Sequence, residues 1–306
     1  MTEQIQKANK GIQKEIRKNK RRAKIDGIKR AWYKYSRNKL SVVGLILVLL
    51  IILVAVFEKQ IAPYPDHAGA GVYFEQASRP PCAEFLLGTD TMGRDVLSRI
   101  IFSFRNALIM GVTVVILGAS IGTLMGLMAG YFHGKLFSTI LLRFTDVFLA
   151  LPSLVLALVI AAMFKPSLFN CIVALTIGWW TWYVRLIYGQ VISIRSEYYV
   201  QSAELIGASR LHIILKEILP NCLNTALTKM TLDLGLVILM GATLSFVGLG
   251  EQAPAPDLGT MINDGYTLLP GHWWLTVFPA CAIMIIVLAF NLVGDGISDM
   301  LGSGEG

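Results

Sequence analysis

Between residues 107 and 130 the chain reads Ala107-Leu-Ile-Met-Gly-Val-Thr-Val-Val-Ile-Leu-Gly-Ala-Ser-Ile-Gly-Thr-Leu-Met-Gly-Leu-Met-Ala-Gly130, 24 residues without an ionisable side chain. At about 1.5 Å per residue, a helix of that length crosses a hydrocarbon core of about 30 Å. Its glycines recur at Gly118, Gly122, Gly126 and Gly130. A four-residue repeat puts all of them on one helical face. Helices in lipid associate by close packing rather than by hydrophobicity, so this face marks a tight contact with a neighbour, in this chain or in a partner chain.

Five more apolar runs flank this one, near Leu40–Phe57, Ile140–Phe164, Leu168–Ile187, Ala226–Val247 and Leu275–Val293. The 306 residues are 55% hydrophobic and only 15% charged, against roughly 25% charged for a soluble domain. With a mean hydropathy of +0.61, these numbers exclude a soluble fold, disorder, collagen and coiled coil. The expected fold is an all-α integral membrane protein of six spans.

Charge fixes the orientation. Residues 1–39 hold 14 of the 27 Lys and Arg and only Glu3, Glu15 and Asp26 as acids, and the rest of the chain is net acidic. Basic residues stay on the inner side, so both termini are expected inside. Residues 1–39 then form a cytoplasmic tail, 40–299 the membrane domain and 300–306 a short C-terminal tail. Residues 58–104 and 248–274 are outer loops, and 188–224 is an inner loop. The tail enforces orientation. Its Ile25, Ile28, Trp32 and Tyr35 also recur at helical spacing, which suits an amphipathic helix over residues 25–38 lying on anionic membrane lipid. A basic charge confined to one tail does not describe a nucleic-acid-binding protein.

Inside the spans, Asp233 is the one deeply placed carboxylate, and such a group is costly in hydrocarbon. A local pair with Lys229, four residues earlier, is preferred over a direct substrate role or a pathway position. Arg143 and Asp146 read as a similar pair, and Pro152 is expected to kink the third span. The outer loops carry Asp66, Glu75, Glu84 and Asp90 in one and Glu251, Asp257 and Asp264 in the other, either as plain solvated charges or as contacts for a soluble protein. His272 beside Trp273 and Trp274 suits an interfacial aromatic belt.

Nothing in the sequence has the form of a catalytic centre. Gly134-Lys135 lacks the Gly and the Ser or Thr of a phosphate-cradling loop. His67, His133, His212 and His272 are scattered without metal-ligand spacing. Cys82, Cys171, Cys222 and Cys281 form no C-x-x-C pair. Neither a metal site nor a cofactor is expected.

The polar stretch Glu197-Tyr-Tyr-Val-Gln-Ser-Ala-Glu-Leu-Ile-Gly207-Ala-Ser-Arg-Leu-His-Ile-Ile-Leu-Lys-Glu-Ile-Leu-Pro220-Asn221 is too long for an idle turn. A short helix over Ser202–Ile206, a stop at Gly207, and a second amphipathic helix over Leu211–Leu219, ended at or near Pro220, are expected. Such a pair suits the docking of a soluble partner.

This stretch resembles the cytoplasmic coupling loop, the EAA loop, of ABC importer permeases. Gln201-Ser202-Ala203 occupies the Glu-Ala-Ala triplet, with Gly207 and Leu219-Pro220 in register. Gln201 replaces the acid, Ser202 an Ala, and Glu217 a customary Ile. The chain from about Arg37 to Leu301 resembles the C-type permease of the dipeptide, oligopeptide and nickel importers. The marks are Arg37-Asn38-Lys39, Leu87-Gly-Thr-Asp-Thr-Met-Gly-Arg-Asp95 with Ser98-Arg99, Leu244-Ser-Phe-Val-Gly-Leu-Gly250, Pro256-Asp-Leu-Gly259 with Met261-Ile262, and Asn291-Leu-Val-Gly-Asp-Gly296. The C-terminus departs from the basic ending usual in the family.

The resemblance implies a multi-pass type I importer permease of the bacterial cytoplasmic membrane. It implies a second permease subunit, two cytoplasmic ATPases that bind ATP and Mg, and an extracytoplasmic solute-binding protein. The cargo would be a peptide, a nickel chelate or another small solute. Coupling to the ATPases would fall to Gln201, Ser202, Ala203, Glu204, Gly207, Ala208, Leu219 and Pro220. Two other readings carry less: an ion-coupled secondary transporter using Asp233, for which no inverted repeat is visible, and a membrane enzyme, for which no catalytic constellation is visible.

Overall fold

The computed structural model describes residues 26–301 apart from residue 28. Ile25 and Ile28 of the expected amphipathic face, most of the basic tail, and residues 302–306 lie outside the described residues. A helix including residues 29–37, here α1, leads into α2 (Lys39–Val56). Then follow α3 (Val96–Tyr131), α4 (Leu136–Leu149), α5 (Ser153–Ala162) and α6 (Leu168–Arg195). After the short α7 (Tyr198–Leu205) come α8 (Arg210–Phe246), α9 (Leu258–Tyr266) and α10 (Trp274–Leu301). There is no strand among the described residues, only an isolated bridge between Thr89 and Asp95.

Five helices, α2, α3, α6, α8 and α10, are long and apolar enough to cross a membrane. The third expected span is broken. Its two pieces, α4 and α5, are bent by 83° at the junction, and counted as one broken span they complete six. Pro152 explains the break, because it has no N–H to donate and its ring disfavours helical backbone at Leu151. The bend exceeds the kink expected from the sequence because α5 restarts with Pro152 as its N-cap, so no backbone bond ladder bridges the two pieces.

Several spans run past their apolar cores. α3 starts at the Asp95 cap, whose carboxylate accepts from the Ser98 N–H at 2.8 Å. This is 11 residues before the apolar run begins. Asn38 donates to Asp299 at 3.3 Å, tying the start of α2 to the end of α10 and putting these two chain ends on the same side. At the opposite end, the Trp274 indole donates to the Thr89 carbonyl at 3.2 Å and is buried. Trp274 therefore packs under the outer loop instead of joining an aromatic belt; Trp273 is the exposed one.

The glycine face of α3 meets α6 of the same chain. Gly118 faces Trp179, Gly122 faces Trp180 and Tyr183, Gly126 faces Ile187, and Gly130 faces Val191. These partners also step by about one turn, so the two backbones run in register. A Cβ added at Gly122 would lie 2.3 Å from the Trp180 carbonyl oxygen and 2.4 Å from the Tyr183 Cβ, neither of which can retreat without moving α6. Gly189, also in α6, has open space where its Cβ would be.

Gly122→Ala is therefore expected to destabilise the protein by about 1–3 kcal/mol through overpacking. Gly189→Ala is expected to be neutral or stabilising by up to about 1 kcal/mol from helix propensity. Thermal unfolding of the two purified variants checks the contrast.

Candidate functional site

The inner loop folds into two helices around a sharp reversal. α7 ends at Leu205, and Gly207 follows with φ +83°. Its N–H donates to the Glu204 carbonyl at 3.1 Å, and that of Ala208 to the Ala203 carbonyl at 3.0 Å. This pair of bonds closes a helix through a left-handed residue, a conformation that glycine adopts without strain. Ser209 then caps α8, accepting from the His212 N–H at 3.3 Å.

The second helix does not stop at Pro220. It passes through a π-helical stretch, Ile213–Ile218, and continues as the span to Phe246. The wider turn, in which the Leu219 N–H reaches the Ile214 carbonyl, accommodates a residue with no N–H of its own. Leu219 and Pro220 are thus the joint between the loop and a membrane helix, not the end of a free element.

One face of the loop is anchored. Val200, Ile213, Ile218 and Cys222 are buried against Leu127 and Tyr131 of α3 and against Ile187, Val191 and Ile194 of α6. The other face is open and apolar. Leu205, Ile206 and Leu211 are 88%, 85% and 66% exposed, flanking Gly207 on both sides. Gln201 reaches back to the Ser196 carbonyl, and Ser202 to the Tyr198 carbonyl. Glu204 lies 3.7 Å from Arg195, and Ala208 is half-buried. Leu205, Ile206 and Leu211 lie outside the motif positions and form the exposed apolar surface of the loop. Their signal is the occurrence of three large apolar side chains around a glycine in an otherwise polar stretch.

Asp233 lies far along α8 from this loop and is 2% exposed. Lys229 Nζ is 2.5 Å from one of its carboxylate oxygens, and the Trp179 indole N–H donates to the other at 3.0 Å. Both oxygens are occupied, which meets the demand that a buried charge be paired and hydrogen-bonded. Lys229 also borders a cavity of about 400 Å³ with Asn224, Thr225, Thr228 and Ser298. The expected Arg143–Asp146 pair is not formed: Arg185 of α6 bonds Asp146, and Arg143 is not its partner. A helix packed alongside presents its guanidinium to the carboxylate, which a sequence-local pairing rule does not foresee.

Of the seven outer acids, Asp90, Glu251 and Asp257 are hydrogen-bonded through their side chains within the chain. Asp90 accepts from Arg94 at 2.7 Å and lies 3.6 Å from the buried Arg99. Glu251 accepts from the Leu168 N–H at 2.9 Å. Buried Asp257 caps α9 through the Gly259 and Thr260 N–H groups, at 3.0 and 3.1 Å. Desolvation raises its pKa above the ordinary value, and those bonds oppose the rise. In the other outer loop, residues 58–104, His67 is buried and stacked on Tyr73, and its Nδ1 accepts from the Asp95 N–H at 2.9 Å. Burial lowers its pKa from 6.5, outweighing the opposite pull of Asp95, Asp90 and Asp66.

Comparison with known proteins finds relatives over most of the chain. The family model described as "Binding-protein-dependent transport system inner membrane component" matches residues 122–304. The one described as "N-terminal TM domain of oligopeptide transport permease C" matches residues 28–81. The chain is 40% identical over 276 residues to the dipeptide transport system permease protein of Escherichia coli K12, covering 88% of this chain and 91% of that one. It is 36% identical over 281 residues to a probable D,D-dipeptide transport system permease protein of the same strain, covering 92% and 93%. The oligopeptide transport system permease protein of Bacillus subtilis 168 is 35% identical over 273 residues, covering 89% and 88%. Among solved structures, an inward-facing MetNI methionine ABC transporter superposes with a TM-score of 0.55 at 18% identity, covering 67% of this chain and 96% of that one. That last likeness is one of fold.

Two outcomes follow. Asp233→Asn leaves the Lys229 ammonium unpaired and is expected to cost about 1–3 kcal/mol. Adding Lys229→Met should recover much of it, as seen by thermal unfolding of both variants; unchanged stability with lost transport would instead give Asp233 a direct role. For His67, a folded pKa below 6.5 means that the unfolded chain binds more protons in the window beneath that value. Stability is then lost as pH falls below about 6.5. Melting temperature against pH should show this slope in the native protein and a weaker one in His67→Gln.

Proposed function

Because this chain belongs to the binding-protein-dependent transport system inner membrane components, and among them to the dipeptide and oligopeptide permeases, we propose that it forms half of the translocation pathway of an ATP-driven peptide importer. It sits in the bacterial cytoplasmic membrane and does no chemistry of its own. A second permease subunit completes the pathway. Two cytoplasmic ATPases bind ATP and Mg, and an extracytoplasmic solute-binding protein delivers the peptide to the outer loops.

The observation that carries this reading is the division of the inner loop into a buried and an open face. Leu205, Ile206 and Leu211 present an apolar surface around Gly207, which suits a groove on a soluble partner. Behind them, Val200, Ile213 and Ile218 are packed into the inner ends of α3, α6 and α8. A push on the open face therefore becomes a displacement of the spans and not a bending of the loop.

An equilibrium between outward- and inward-open bundles moves only if the ATPases contact the two states differently. Closure of the ATPase pair around bound nucleotide supplies that difference at Gln201–Ala208. The α3–α6 pair moves as a body, and the elbow at Leu151–Pro152 is the place where the bundle re-packs. The double occupation of the Asp233 carboxylate by Lys229 and Trp179 favours a structural pair over ion coupling.

Leu205→Asp is expected to abolish co-purification of the ATPases, since a charge then enters an apolar contact. Gly207→Val should retain assembly but lower ATP-dependent peptide uptake several-fold, because a β-branched residue in left-handed backbone costs roughly 1–2 kcal/mol. Gly207→Asn should be milder. Normal uptake and normal co-purification in both Leu205→Asp and Gly207→Val would remove the coupling role.

A further inference from the structure

Behind the α7–α8 turn lies a recess of about 290 Å³, bordered on one side by Glu204 and Ala208 of the inner loop. Its walls include Tyr131 and Phe132 at the end of α3, Lys135, Arg195 at the end of α6, and Glu204 and Arg210 of the inner loop. Three cations thus face one carboxylate. Glu204 pairs with one of them, 3.7 Å from Arg195, so the recess keeps an excess of two positive charges. Neither Lys135 nor Arg210 has an acidic partner among the described residues.

The recess is also built in advance. Arg195 donates to the Tyr131 carbonyl at 2.6 Å and lies over the Tyr131 ring, 5.0 Å from its centroid. Those two contacts fix the plane of the guanidinium and leave further N–H donors unused. Lys135 is held over the Phe132 ring at 5.4 Å. Such a fork with two more cations beside it fits a phosphate oxyanion.

What surrounds the recess selects the source of that phosphate. Directly after Lys135, Leu136 and Ile140 are 75% and 60% exposed on the apolar helix α4. Phe137 meets Phe132 edge-on at 6.3 Å. Through Lys135, the cap of α4, and through the Phe132–Phe137 contact, the cationic recess adjoins the exposed apolar side chains at the start of α4. A free anion would use only the first part, whereas a phospholipid uses both.

We propose that this recess binds the phosphate of an anionic inner-leaflet phospholipid, with Lys135, Arg195 and Arg210 as its ligands and its acyl chains against Leu136 and Phe137. Bound there, the lipid ties the wall formed by Glu204 and Arg210 to the end of α3, bracing the inner loop against the bundle.

The test uses the complete purified transporter in detergent with mixed phosphatidylglycerol and phosphatidylcholine, and native mass spectrometry to read the lipid retained. Preferential retention of phosphatidylglycerol is expected. It should fall about five-fold for each cation removed in Lys135→Gln and Arg210→Gln, and persist in Lys135→Arg. Equal retention of the two lipids, or equal phosphatidylglycerol retention by the native protein and both Gln variants, would overturn the proposal. Displacement of the lipid by millimolar inorganic phosphate or sn-glycerol 3-phosphate would assign the recess to a soluble anion and overturn the lipid source. Loss of the ATPases in Arg210→Gln with lipid retention unchanged would give the recess to an acidic group of a partner protein and likewise overturn the lipid assignment.

Discussion

The approach of α3 to α6 along four glycines is the contact by which the other spans are placed. Membrane helices gain little from hydrophobicity when lipid is the alternative, so their association rests on how closely backbones can approach. Gly118, Gly122, Gly126 and Gly130 remove side chains from α3 where Trp179, Tyr183, Ile187 and Val191 of α6 come down. Around this pair the remaining spans collect in two groups. α2 and α10 join through the cluster of Ile51, Ile286 and Phe290. α8 joins through Val237 and Leu244, and α5 of the broken span through Ala157 and Ala161, beside Val114 and Leu175.

Charge inside the bundle is likewise governed by its immediate neighbours. Asp233 and Asp146 each bond a cation, Lys229 from the same helix and Arg185 from another. In a medium of low dielectric constant an isolated ionised group is very costly, so each carboxylate appears with its partner. The Trp179 indole belongs to both systems, lying opposite Gly118 in the seam while donating to Asp233. Seam and charge pair are therefore coupled through one side chain.

The six apolar runs, the glycine face and the helix–glycine–helix form of the inner loop are legible in the sequence because each depends on local pattern: length, four-residue spacing, and a residue suited to positive φ. Other features are not, because they depend on neighbours distant in sequence or on backbone geometry that no residue type announces. Arg185 takes Asp146 from Arg143 only once α4 lies against α6. Trp274 is buried only once the outer loop folds over it. Pro220 has the chemistry of a helix stop, and the π turn preceding it lets the helix continue. The Leu151–Pro152 break is visible as a proline, while its angle is not. In the inner loop, the family motif points to Gln201–Ala203, although the exposed apolar surface is carried by Leu205, Ile206 and Leu211.

The proposed function rests on rigidity at the seam and compliance at the elbow, by which the inner loop would act as a lever on the membrane domain. The most direct measurement of that claim is the distance between spin labels at Leu124 of α3 and Ile192 of α6, both exposed. It would be read by pulsed electron resonance in the assembled transporter, nucleotide-free and with ATP trapped. A seam that moves as one body predicts coincident distance distributions in the two states. A shift of more than about 3 Å, the rise of two helical residues, would contradict it.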